Sequence, residues 1–130
     1  MLKKSQCWFS LNSKASMTKI RQFDIWIADL EPQRGTETGK IRPVLVVQTN
    51  LLKDHPSTVV CPITTNVIPE SDILRIHIKK GIANLKSDSD IMIDQVRAID
   101  NRRLTSKVGE LPKDLQIKVK ENIKIILDLD

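Results

Sequence analysis

Three polar clusters in this chain stand at the ends of apolar runs. They are Glu37 to Arg42, Thr64-Thr65-Asn66, and Asp94-Gln95-Val96-Arg97. Together they offer a fixed cation, hydroxyls, amides and carboxylates. That set suits a phosphodiester. Cleaving RNA by transesterification requires a group that takes the proton of a 2′-hydroxyl. It also requires charge on the phosphoryl oxygens to be neutralised and the departing 5′-oxygen to be protonated. Arg42 can supply permanent positive charge and two parallel hydrogen bonds, and Thr64 can donate one more to the same oxygens. The base is open between Glu37, Asp94 and a strongly perturbed Arg42, because an ordinary guanidine with a pKa above ~12 is a poor acceptor. No divalent ion or other cofactor is demanded, and no carboxylate cluster is present to hold an ion. Each residue also has a plainer reading. Glu37 and Lys40 would keep a loop solvated, Asp94 and Gln95 would satisfy the backbone of a bulge, and Arg102 and Arg103 would pair with Asp100. His77 falls on the outward face of an alternating strand and His55 precedes Pro56 in a loop, so both read as solvated.

The elements that must position these residues follow from pattern. Asp24-Ile-Trp-Ile-Ala-Asp-Leu30 alternates as a strand, with Ile25, Ile27 and Asp29 on one face and Trp26, Ala28 and Leu30 on the other. Gly35 and Gly39 then allow a loop, and Pro43 fixes its own φ and pushes Arg42 toward extended backbone. Val44 to Val47 reads as a buried strand, giving a long-looped antiparallel hairpin. Thr49 to His55 holds one helical turn. Thr58 to Ile63 is a third strand, in which Pro62 predicts an edge or a bulge. Leu74, Ile76 and Ile78 alternate inward against Arg75, His77 and Lys79 outward. Ile91 to Ile99 is a long strand interrupted at Asp94, Gln95 and Arg97. A short turn at Asn101 to Leu104 and a last strand, Ser106 to Glu110, precede a helix opened by Pro112. That helix carries Leu115, Val119, Ile123, Ile126 and Leu127 on one face and Lys118, Lys120 and Lys124 in solvent. Short strands and one terminal helix make a mainly β fold, a strongly bent barrel or sandwich with helical additions. The alternation of strand and long helix that a parallel α/β fold needs is absent.

Composition narrows the partners. A chain of 130 residues is one domain. Its rings are few and it has no tyrosine, so the core must be aliphatic and the case for a broad base-stacking platform is weak. The net charge of +5 is concentrated at the start: Lys3, Lys4 and Lys14 lie in an acid-free stretch, and the remainder carries 18 basic and 16 acidic side chains. Residues 1–17 read as a disordered extension ahead of a single domain at 18–130, with Met17 an alternative start. The apolar part after Lys4 is shorter than the roughly 7–15 residues of a signal peptide. Cys7 and Cys61 form no disulfide framework, and no apolar run approaches the ~20 residues that span a bilayer. A cytoplasmic protein with no membrane partner is expected.

In four pieces the chain resembles the MazF/PemK family of toxin endoribonucleases. They are Asp24-Ile-Trp-Ile-Ala-Asp-Leu30, then Gly35-x-Glu37-x-Gly39-x-x-Arg42-Pro43-Val-Leu-Val-Val, then Pro62-Ile-Thr64-Thr65-Asn66, then Asp94-Gln95-Val-Arg97-Ala-Ile-Asp100-x-Arg102-Arg103-Leu104. The likeness runs from about Ile20 to Leu129. It implies a small SH3-like barrel with a C-terminal helix, working as a homodimer. Family members cut single-stranded RNA, usually mRNA, at short sequences without a metal, and leave a 2′,3′-cyclic phosphate and a 5′-hydroxyl. By position, Arg42 matches the catalytic arginine and Thr64 the hydroxyl residue that stabilises the scissile phosphate. Glu37 matches the segment that gates the site. Asp94 and Gln95 match positions that contact RNA or, for the acid, assist catalysis. Arg34, Thr36, Lys40, Thr65, Asn66 and Gln95 are the expected RNA contacts. The resemblance also implies a cognate antitoxin lying over the same groove, and operator DNA bound only through that antitoxin. There are departures. Thr36 stands where some relatives have histidine, Met92 where some have arginine, and Phe23 where glycine is frequent. The alternatives are a toxin of the same fold that binds DNA gyrase without cleaving RNA, and a catalytically dead RNA-binding module. Arg42 and Thr64 together favour cleavage, since a gyrase binder needs neither.

Overall fold

The computed structural model describes residues 19–32, 35–36, 40–52 and 54–130, so the extension expected at 1–17 lies outside the described residues. The strands are β1 (Asp24–Asp29), β2 (Ile41–Val46), β3 (Ser57–Thr64), β4 (Arg75–Ile78), β5 (Ser89–Met92), β6 (Arg97–Asp100) and β7 (Leu104–Glu110), followed by helix α1 (Lys113–Ile126). They pair antiparallel in the order β4-β5-β3-β2-β1-β7, and β6 also pairs with β3.

Alternation sends the side chains of this sheet into two cores. Ile25, Leu45, Cys61, Ile63, Ile76, Ile78 and Ile91 point to one, which α1 covers through Leu115, Val119, Ile123 and Ile126. Trp26, Ala28, Leu30, Val44, Val46, Val60 and Ile99 point to the other. No described helix covers this second face. The sheet curls round it instead: β6 lies beside β3, β7 beside β1, and a single turn, Asn101–Arg103, joins β6 to β7 without the two strands pairing. This is the bent antiparallel barrel with a C-terminal helix, left open at one seam. Both apolar faces of the strands leave water, which is the main favourable term for a domain this size.

The two prolines explain where pairing changes. Val47 N donates to Val59 O at 3.0 Å, so by alternation Pro43 turns its nitrogen toward β3 and Pro62 turns its nitrogen away from β2. The β2–β3 ladder ends at Val44↔Pro62, one residue from Pro43, where no N–H can continue it. On the far edge of β3, Val60 pairs with Arg97 while Ile63 pairs with Ile91. The partner strand is therefore broken by a helical turn at Ile93–Gln95, and Pro62 sits opposite the gap. The bulge expected from Pro62 is on its neighbour.

Three expectations are corrected. Leu74 precedes β4 and is exposed, because the strand begins only at Arg75. Leu127 is exposed as well, because α1 ends at Ile126 and the chain reverses at Asp128 with φ of 54°. Arg75 and His77 are not merely solvated: both contact the buried Asp90. Phe23, where relatives favour glycine, takes a φ of 69°. That left-handed backbone costs about 1–2 kcal/mol for a residue with a Cβ. The ring is 6% exposed in the first core, with Lys120 Nζ 5.5 Å from its centroid. Burying an aromatic ring gives about 1.5–3 kcal/mol, enough to offset the strain. Gly109 is a different case. A Cβ there would lie 2.8 Å from the Ala83 carbonyl carbon, in backbone that cannot swing away. Gly109→Ala is expected to lower stability by about 1–3 kcal/mol, read as a fall in urea midpoint with the slope unchanged.

Candidate active site

The register of β2 against β3 organises the site. Val46 faces Val60, Leu45 faces Cys61 and Val44 faces Pro62. Arg42 and Thr64 each lie two residues beyond the last pair of this ladder, at the same end of it. Both belong to the pleat face of the second core: Arg42 follows the alternation of Val44 and Val46, and Thr64 that of Val60 and Pro62. Arg42 is anchored on its other edge by pairing with Ala28 of β1. It is half-buried, and burial draws its guanidinium down from its ordinary pKa. Its strand starts three residues earlier than the apolar run suggested, so the cation sits on rigid backbone and not in the loop.

The Thr64 hydroxyl accepts a hydrogen bond from Asn66 N at 3.1 Å. With one lone pair engaged there, its own hydrogen is left to donate outward. Thr65 and Asn66 are exposed at the tip.

The third cluster comes from the bulge between β5 and β6. Relative to β3, the partner register shifts by three residues across Ile93–Gln95. Ile93 is buried in the first core, and the extra residues push Asp94 and Gln95 outward. Gln95 Nε2 donates to Thr36 O at 3.4 Å, so the bulge touches the β1–β2 loop. Asp94 is exposed. The Cys61 thiol is pushed up to about 12, first by burial and then by the charge of Asp94.

The neck of the β1–β2 loop is tied at several points. Leu30 N donates to Lys40 O at 2.9 Å, and Lys40 N donates to Glu31 Oε1. Arg103 Nη1 donates to Asp29 O at 2.9 Å and to Glu31 O at 2.6 Å. The expected pairing with Asp100 therefore holds only for Arg102, at 2.8 Å. Arg103 instead secures the start of the loop, a role that adjacency to Asp100 concealed. Gly35 uses a φ of 57°, as its loop position predicts, and Lys40 a φ of 70°. Thr36 and Lys40 are exposed beside the neck, while Arg34, Glu37 and Gly39 lie outside the described residues.

Arg42 and Thr64 thus stand at the same end of the β2–β3 ladder, and Gln95 touches Thr36. A model of the PemK-like, MazF-like toxins of type II toxin–antitoxin systems matches residues 21–127. The chain belongs to the PemK/MazF toxin family. Among its relatives, the endoribonuclease EndoA of Bacillus subtilis (strain 168) is 33% identical over 111 residues, 85% of this chain and 96% of that protein. Among solved structures, the Mycobacterium tuberculosis toxin MazF-mt6 superposes with a TM-score of 0.69 at 26% identity, covering 82% of this chain and 98% of the other. A mycobacterial endoribonuclease in complex with its cognate antitoxin shares the fold, with a TM-score of 0.68 at 16% identity over 88% of this chain and 98% of the other. In this PemK/MazF chain no described helix is long and apolar enough to cross a membrane.

Proposed function

We propose that this chain is a toxin endoribonuclease that cleaves single-stranded RNA, chiefly mRNA, by metal-independent transesterification. The observation that supports this is the β2–β3 register, which ends at Val44↔Pro62 and leaves Arg42 and Thr64 each two residues beyond that end, on the same pleat face. It is supported by the likeness to EndoA over almost that protein's whole length. The guanidinium neutralises charge on the non-bridging phosphoryl oxygens as the 2′-oxygen attacks phosphorus. Thr64 donates to one of those oxygens. The P–O5′ bond breaks as the 5′-oxygen takes up a proton, leaving a 2′,3′-cyclic phosphate and a 5′-hydroxyl. Glu37, Asp94 or Arg42 removes the 2′-proton. Arg34, Thr36, Lys40, Thr65, Asn66 and Gln95 contact neighbouring nucleotides of the RNA. The protein works as a homodimer in the cytoplasm, a cognate antitoxin covers the same groove, and operator DNA is met only through that antitoxin.

The test is incubation of the purified chain with a single-stranded RNA in EDTA. Fragments with cyclic-phosphate and 5′-hydroxyl ends are expected. Intact RNA together with inhibited DNA gyrase would replace this reading with the gyrase-binding one.

A further inference from the structure

Asp90 has no solvent-exposed surface, although it lies in β5 between two aliphatic neighbour strands. An apolar residue would fill such a position at less desolvation cost. What the carboxylate does instead is collect donors. Oδ1 takes His77 Nδ1 at 2.6 Å, and Oδ2 takes Arg75 Nη1 at 3.2 Å and Ile68 N at 2.8 Å. The same Arg75 Nη1 also donates to Asn66 O at 3.1 Å. Asn66 in turn donates its N–H to the Thr64 hydroxyl at 3.1 Å. In the sheet, Thr64 pairs with Asp90 and Asp90 pairs with His77, so the cluster stands directly beside the strand end that carries Thr64.

Segment 64–68 leaves β3 at Thr64, and beyond it no strand pairing holds its backbone. Ile68 N and Asn66 O are satisfied by the buried ion cluster instead. Resting on the nuclease reading above, we propose that Asp90 and Arg75, with His77 closing the carboxylate's other oxygen, are positioning residues that lock segment 64–68 so that Thr64 presents its hydroxyl hydrogen to the scissile phosphate. The logic is geometric. The Asn66 N–H fixes which lone pair of Thr64 is engaged, and Arg75 fixes Asn66. Loosening the clamp lets the hydroxyl rotor and the strand tip wander, while the rest of the sheet keeps its cores. A displacement of about 1 Å at such a group costs on the order of 10² in rate.

The experiment is a double-mutant cycle on the full chain, with single-turnover cleavage of single-stranded RNA and thermal melts for every variant. Asp90→Asn keeps the shape but turns one acceptor into a donor, so it cannot receive all three bonds. It is expected to lower kcat about 10²-fold with KM little changed, and to add no further loss in a Thr64→Ala background. Arg75→Met, on edge strand β4, keeps an extended side chain but donates to neither Asp90 nor Asn66 O. It is expected to cause a smaller loss that likewise vanishes with Thr64→Ala, and it decides the matter if Asp90→Asn does not fold. Wild-type rates in the folded variants, or equal losses with and without Thr64, would overturn the proposal while leaving the nuclease reading intact. RNA left whole by the unmodified chain would remove both.

Discussion

Replacing Arg42 with alanine is expected to slow RNA cleavage by about 10³-fold or more, the range over which an arginine stabilises phosphoryl transition states. The fold should survive. Arg42 is half-buried at the start of β2, and the apolar residues of that strand, Val44 to Val46, come after it. Arg42→Lys should recover only part of the rate, because an ammonium is a point charge without the planar two-point grip of a guanidinium. A single-turnover assay with the melt alongside checks both, and a rate within tenfold of the wild type would end the mechanism. The pH profile then identifies the base. A carboxylate base works only once deprotonated, so a rate that climbs on the acid side and then levels off would name a carboxylate. Arg42 as its own base would give a rate still rising about tenfold per pH unit near pH ~9, because only the small deprotonated fraction acts. Burial moves Arg42 in the direction that enlarges that fraction.

How much of this could be read from the residues alone differs between elements. The alternation of Ile25 against Trp26 and Ala28 fixed both the strand and the side each residue buries, because a strand has two faces and both are apolar here. Pro62 announced a break in pairing for a reason local to proline. The placement of Arg42 and Thr64 at one end of the β2–β3 ladder had no such local signal. It depends on the register between strands that the chain joins through residues 47–56, and the single-strand pattern is blind to register. Asp90 was harder still. It follows directly on the polar Ser87-Asp-Ser89, yet Ser89 and Asp90 are buried strand residues. The only hint was the pair of polar side chains at Arg75 and His77, which alternation assigned to solvent and which needed an acid across the sheet to be read otherwise. Phe23 shows the converse. Its position before β1 marked a site where relatives use glycine, and the φ of 69° supplies the reason, but nothing in the order of residues told that packing would compensate.

Thr64→Ala should lower kcat by about 10²–10³-fold, the usual loss when one preorganised donor to a developing oxyanion is removed. Stability should change little. Thr64 is half-buried, and the substitution removes one accepted hydrogen bond, from Asn66 N, whose net worth is about 1 kcal/mol. Thr64→Ser keeps a hydroxyl in the same turn and should retain most activity, whereas Thr64→Val keeps the shape and should fall as far as alanine. If the donor acts in the transition state, kcat and kcat/KM fall together. If it only binds the ground-state phosphate, KM rises and kcat holds. The decisive comparison is the double variant with Arg42→Ala. Two groups that grip the same phosphoryl oxygens work as a unit, so the combined loss should be much smaller than the product of the single losses. Fully multiplicative losses would mean that the two side chains serve different parts of the substrate, and that their shared end of the β2–β3 ladder is not what makes the site.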